Sequence, residues 1–121
     1  MKVQLQDQSV RLRLDEAELA RLLAGESVEN MTRFGGIEGW GMAVSLHGGE
    51  RPVLLDGGTF CRLVLPRPAV EALAARLPCR DGLPFDIALE DGSQLQLQFD
   101  VDVRDSVRQR GVTRRTTAPS V

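Results

Sequence analysis

Val3-Gln4-Leu5-Gln6-Asp7-Gln8-Ser9-Val10-Arg11-Leu12-Arg13-Leu14 alternates apolar and polar side chains on either side of Asp7-Gln8. A period of two puts every second side chain on one face, so residues 1–14 predict a β-hairpin lying half-buried on a core. Directly paired residues must share a side of the sheet. A two-residue loop at Asp7-Gln8 pairs Leu5 with Val10 and Val3 with Leu12, which gathers both apolar sets. A three-residue loop would separate them.

The period then changes. Asp15 is placed to cap a helix, with Glu18 three residues on in capping-box spacing, and Leu14 can staple against Leu19. Leu19, Leu22 and Leu23 define one helical face and Gly25 supplies the stop, which predicts a helix over about 15–24. Alternation returns at 27–34, where Val28, Asn30, Thr32 and Phe34 oppose Glu29, Met31 and Arg33. Gly35, Gly36 and Gly39 interrupt, and Trp40, Met42, Val44 and Leu46 then share a strand face. Val53–Leu55 and Thr59–Leu65 form a further pair. A three-residue loop at Asp56-Gly57-Gly58 is expected there, pairing Leu55 with Thr59 and Val53 with Cys61.

Pro66 and Pro68 suit the start of a second helix over about 68–77, carrying Val70, Leu73, Ala74 and Leu77. Phe85, Ile87 and Leu89 alternate on one last strand, and Leu95, Leu97, Phe99, Val101 and Val103 on the next. A Glu90-Asp91-Gly92 loop with Gly92 left-handed pairs Ile87 with Leu95, whereas a two-residue turn gives the wrong facing.

The expected fold is therefore α+β, in the order ββ-α-ββ-ββ-α-ββ. Short hairpins imply a mainly antiparallel sheet with both helices gathered on one face. Residues 1–104 are expected to form a single domain. The order repeats hairpin–helix–hairpin twice, although no convincing residue-level repeat accompanies it.

Of 121 residues, 42% are hydrophobic and 26% charged, ordinary values for a globular chain with its own core. Net charge is −2 but unevenly spread. Residues 104–121 hold five arginines against Asp105, giving +4, so residues 1–103 carry −6. The stretch 105–121 is rich in Arg, Thr and Ser and is expected to be a basic, disordered tail. An acidic body without tyrosine, and with 4% aromatics, argues against nucleic acid as partner. No apolar run approaches the ~20 residues that span a bilayer, and no signal peptide is apparent. Cys61 and Cys79 lack the spacing of a disulfide framework or zinc site. A reducing cytoplasm is the expected setting.

Ser9-Val10-Arg11-Leu12-Arg13-Leu14, the acidic-capped helix after it, and Val28-Glu29-Asn30-Met31-Thr32-Arg33-Phe34-Gly35 together resemble a family of small uncharacterised bacterial proteins, grouped as a domain of unknown function. The resemblance is good over residues 1–35 and looser beyond. It implies a bacterial cytoplasmic protein and supplies no catalytic residues.

Arg11, Arg13 and Arg33 are the most suggestive polar set. Arg11 and Arg13 share a strand face, and Arg33 would join them if its strand pairs nearby with matching pleat. Converging guanidiniums would bind a carboxylate or phosphate. The competing account is a solvated sheet exterior. Asp100 and Asp102, continued by Arg104, could hold Mg²⁺ or serve as an acid/base pair. Lacking a third ligand, they read better as alternating exterior charge. His47, the sole histidine, reads as a surface residue at a strand end. Ser45 and Ser93 lack a nucleophile-elbow setting, and Cys61 lacks a nearby activating base. The glycines at 35, 36 and 39 do not form a phosphate-cradling loop. Trp40 reads as a core anchor.

Neither a cofactor nor a metal is expected. The residues favour a non-catalytic binding or interaction module, a homodimer through a sheet edge or open face. The alternative is an enzyme or sensor that takes a small anionic ligand on the arginine-lined face.

Overall fold

The computed structural model describes residues 1–36, 39–78 and 81–103. The tail from 104 onward, including Arg104, and Cys79 lie outside the described residues. Eight strands and two helices are found among those residues: β1 (Lys2–Gln6), β2 (Ser9–Asp15), α1 (Glu16–Leu23), β3 (Val28–Arg33), β4 (Gly39–His47), β5 (Val53–Asp56), β6 (Phe60–Pro66), α2 (Arg67–Ala75), β7 (Leu83–Ala88) and β8 (Gln94–Asp102). The α+β class is as expected.

Local registers follow the alternation argument closely. Val3 pairs with Leu12 and Leu5 with Val10 across the Asp7-Gln8 turn, where Asp7 takes the left-handed φ of 50° in place of a glycine. Ile87 pairs with Leu95, Leu89 N–H donates to the Ser93 carbonyl, and Gly92 is left-handed at φ 87°. Asp15 caps α1 in a reciprocal capping box with Glu18. Leu14 and Leu19, the staple pair, are both buried.

The sheet itself differs from expectation. Instead of one mainly antiparallel sheet there are two mixed sheets, ordered β1-β2-β8-β7 and β3-β4-β6-β5. Each hairpin is antiparallel, but the central pairs β2/β8 and β4/β6 run parallel. The reason is topological. The first hairpin of each half pairs with the second hairpin of the other half, so every inner contact is non-local. The β5–β6 register also departs from the sequence reading. Leu55 pairs with Arg62 and Val53 with Val64, across a longer Gly57–Phe60 turn in which Gly57 N–H donates to the Phe60 carbonyl. That register sends Leu54 and Leu63 inward and Val53 and Leu55 outward.

The two halves are related residue by residue. Val3 paired with Leu12 corresponds to Leu54 paired with Leu63, and Leu12 opposite Phe99 corresponds to Leu63 opposite Val44. Continuing along the chain, Arg11-Leu12-Arg13-Leu14 corresponds to Arg62-Leu63-Val64-Leu65, and the buried helix residues Leu19 and Leu22 to Val70 and Leu73. The repeat invisible in the sequence as a whole is thus present in these two strand–helix segments.

The inward residues of both sheets and of both helices form one core, centred on Leu12, Leu14, Val44, Leu63, Leu65 and Phe99. Trp40 packs at its margin. At ~25 cal/mol per Å² of apolar surface removed from water, these fully enclosed side chains dominate the stability. Asp15 is level with Asp102, and His47 with Pro66, and α1 and α2 leave from these strand ends. The helices therefore close one end of the stacked sheets rather than cover a face. Along one seam Asn30 Nδ2 donates to the Met1 carbonyl at 2.7 Å, while β5 and β7 line a shared groove along the other.

Candidate functional site

Alternation on β1, β2, β7 and β8 turns one set of side chains away from the core. The ladder stacks them in three rows: Gln6, Ser9, Gln96 and Asp86; Gln4, Arg11, Gln98 and Pro84; then Lys2, Arg13 and Asp100. The first two rows line a recess of about 750 Å³ across the outward face, within the range of small-molecule sites. A smaller recess of about 110 Å³, lined by Lys2, Gln4, Arg11 and Arg13, adjoins it. Gln4 and Arg11 belong to both.

Asp100 anchors this corner from below. It is 7% exposed, receives Arg11 Nε at 2.6 Å on Oδ2, and receives Gln98 Nε2 at 3.0 Å on Oδ1. Gln98 Nε2 also donates to the Asp81 carbonyl at 2.6 Å. Gly82 makes the enclosure feasible. Its φ is +64°, and a Cβ there would lie 2.1 Å from Asp100 Oδ1, so only glycine lets the backbone pass so close to the carboxylate. The reading of Asp100 as exterior charge is corrected accordingly. It is enclosed because a parallel neighbour strand carries Arg11 and a tight loop covers it, and neither is local in sequence.

The corner gathers Lys2, Arg11 and Arg13 around Asp100, and the next row of the same face carries Asp15 opposite Asp102. Arg11 is held by Asp100, which fixes its guanidinium. Of the three arginines singled out by sequence, Arg11 and Arg13 come together here. Arg33 ends β3 in the other sheet, opposite Gly39, and is not among the residues lining either recess. Lys2 stands in the corner instead. The glutamines and Lys2 do not stand out in the sequence, because glutamine alternation on a strand reads as generic solvation. Its signal was the coincidence of Gln4, Gln6, Gln96 and Gln98 on matching faces, which becomes visible only once β2 is laid beside β8.

Other candidates have structural explanations. His47 closes the loop after β4: its Nδ1 accepts from Gly49 N–H at 3.0 Å, and its Nε2 lies 2.7 Å from the Arg51 carbonyl, the pattern of a ring protonated on Nε2. Ser93 donates through N–H and Oγ to Asp91, at 2.9 and 2.5 Å. These bonds hold the exposed Asp91 carboxyl below its ordinary pKa. Among the described residues no group of three His, Cys, Asp or Glu side chains is arranged to hold a metal ion. No helix there is long and apolar enough to cross a membrane. No protein-family model and no curated protein matches the chain.

Proposed function

We propose that this protein is a binding module without catalytic activity of its own, and that it holds a small carboxylate- or phosphate-bearing molecule on the outward face of β1-β2-β8-β7. The anionic group sits against Lys2, Arg11 and Arg13, and the polar remainder lies over the amides of Gln4, Gln96 and Gln98. The observation that carries this reading is the continuity of the two recesses through Gln4 and Arg11. A cationic corner on a body of net charge −6 concentrates positive potential where a ligand fits. Planar guanidinium forks suit carboxylate and phosphate oxygens. A reducing bacterial cytoplasm is the setting proposed with it.

Titration calorimetry against inorganic phosphate and citrate tests the reading. Saturable binding that weakens about tenfold or more in Arg13→Gln is expected, a loss equivalent to one charge-assisted contact. Equal heats for the wild type and Arg13→Gln would sink the assignment.

A further inference from the structure

The recess on the outward face of β1-β2-β8-β7 carries opposite charges on opposite sides. Among the described residues, Arg11 on β2 and Asp86 on β7 are the charged side chains in its lining. The polar side chains around them are amides and one hydroxyl, those of Gln4, Gln6, Ser9, Gln96 and Gln98. The pseudo-symmetry of the fold supplies an internal comparison. Asp86, Gln96 and Ser9 form one row, and the equivalent row of the other sheet is Met31, Gly41 and Phe60. Met31, in the place of Asp86, is 54% exposed on a face that is apolar there. The architecture therefore does not require an acid at this position. Asp86 is exposed, and among the described residues no ion pair holds it. Arg51 shares with it the groove on the far side of β7, without pairing.

We infer that the ligand is a short peptide free at both ends, its carboxylate at Arg11 and its amino group at Asp86. The inference rests on the anion-binding reading proposed above and supplies the other end of the ligand. Separation sets the length. Asp86 and Arg11 lie two strands and one row apart, roughly 12 Å at ~4.8 Å between strands and ~3.3 Å per residue. An extended peptide advances by about 3.3 Å per residue, so three or four residues span the gap and a single amino acid does not. Group chemistry sets the class. Arg11 meets Asp100 through Nε at 2.6 Å, the one nitrogen that an end-on bidentate contact with a carboxylate does not need. Gln98 is tied through Nε2 to Asp100 and to the Asp81 carbonyl, so Oε1 is the acceptor it offers a peptide N–H. Gln4, Gln6 and Gln96 each carry donors and an acceptor, as does every peptide unit of the ligand. A molecule of this length with anionic groups at both ends would set one of them against the Asp86 carboxylate, which selects against it.

Chemical-shift titration of the full chain with trialanine and tetra-alanine at pH 7 tests this, since a peptide amino group of pKa about 8 is mostly protonated there. Saturable binding of both peptides is expected. N-acetylation and C-amidation should each weaken it about threefold or more, the scale of one exposed charge pair. The preference for the free amine over the acetylated peptide should vanish in Asp86→Asn and reverse in Asp86→Lys, the coupling that marks direct contact. Citrate, which has no amino group, should bind Asp86→Asn no more weakly than the wild type. Citrate binding that survives while trialanine fails to bind would overturn this inference and leave the anion-binding reading standing. So would indifference to acetylation, or an unchanged preference in Asp86→Asn. Failure of citrate and trialanine alike would take both down.

Discussion

Arg11 and Arg62 hold equivalent positions in the two halves, and Arg11 Nε meets the Asp100 carboxylate at 2.6 Å. The residue in the Asp100 position of the other half is Ser45, and Arg62 reaches instead toward Ser27 Oγ at 3.4 Å. One architecture thus carries a charged, amide-rich face and an apolar face. The Arg11–Asp100 pair marks where they diverge.

Truncating that pair should reveal its asymmetry. Arg11→Leu leaves the enclosed Asp100 carboxylate with the Gln98 amide as its remaining donor among the described residues. Arg11 is itself about half exposed, so full buried-pair values do not apply. A loss of about 1–3 kcal/mol is expected by urea unfolding. Combining Arg11→Leu with Asp100→Leu should recover part of it, because the stranded charge is gone. An additive double variant would show that the two residues act separately.

Gly82→Ala should destabilise more than a surface substitution does. The new methyl meets Asp100 Oδ1 and the Phe99 carbonyl and must adopt φ +64°. Roughly 1–3 kcal/mol is expected from strain at such a position. An unchanged unfolding midpoint would mean that the loop moves aside freely.

Removing the α1 cap by Asp15→Ala should cost about 1 kcal/mol, within the 0.5–2 kcal/mol range of such caps. Glu18 both returns the capping-box bond and meets the Met1 amino group. Glu18→Gln should therefore lower the unfolding midpoint as well, with an effect that shrinks at high salt. A salt-independent loss would assign Glu18 to the cap alone.

Asp91 ties stability to acid. Its carboxyl is held below the ordinary value by the Ser93 hydroxyl and N–H. A depressed folded pKa means that the stabilisation is complete above the unfolded value of 3.8 and disappears as pH falls through the lower folded value. Asp91→Asn should flatten the acid limb of the stability–pH curve below about pH 4 and leave its slope at neutral pH unchanged. A parallel acid limb in the variant would remove Asp91 from the account.

Local features were legible in the sequence because local constraints decide them. The register of β1–β2, the Glu90-Asp91-Gly92 loop and the Asp15 cap all follow from facing parity and turn chemistry within a few residues. The remaining features depend on distant pairing. The parallel β2/β8 and β4/β6 contacts join opposite halves of the chain, and period two cannot distinguish them from antiparallel neighbours. The Val53–Leu55 strand reads equally well in either parity, because Val53, Leu54 and Leu55 are all apolar. For the site, Arg11 and Arg13 were found by alternation. Lys2, the glutamines and the role of Asp100 needed the strand order.

The central claim is that the cationic corner and the amide-lined recess form one anion-binding surface. Amide chemical shifts followed during titration with citrate test it most directly. The account predicts saturable shifts concentrated in residues 2–6, 9–13 and 96–100, absent from Met31 and Leu55, and lost in Arg13→Gln. Shifts that fail to saturate, or that centre on Arg33 and the opposite sheet, would contradict it.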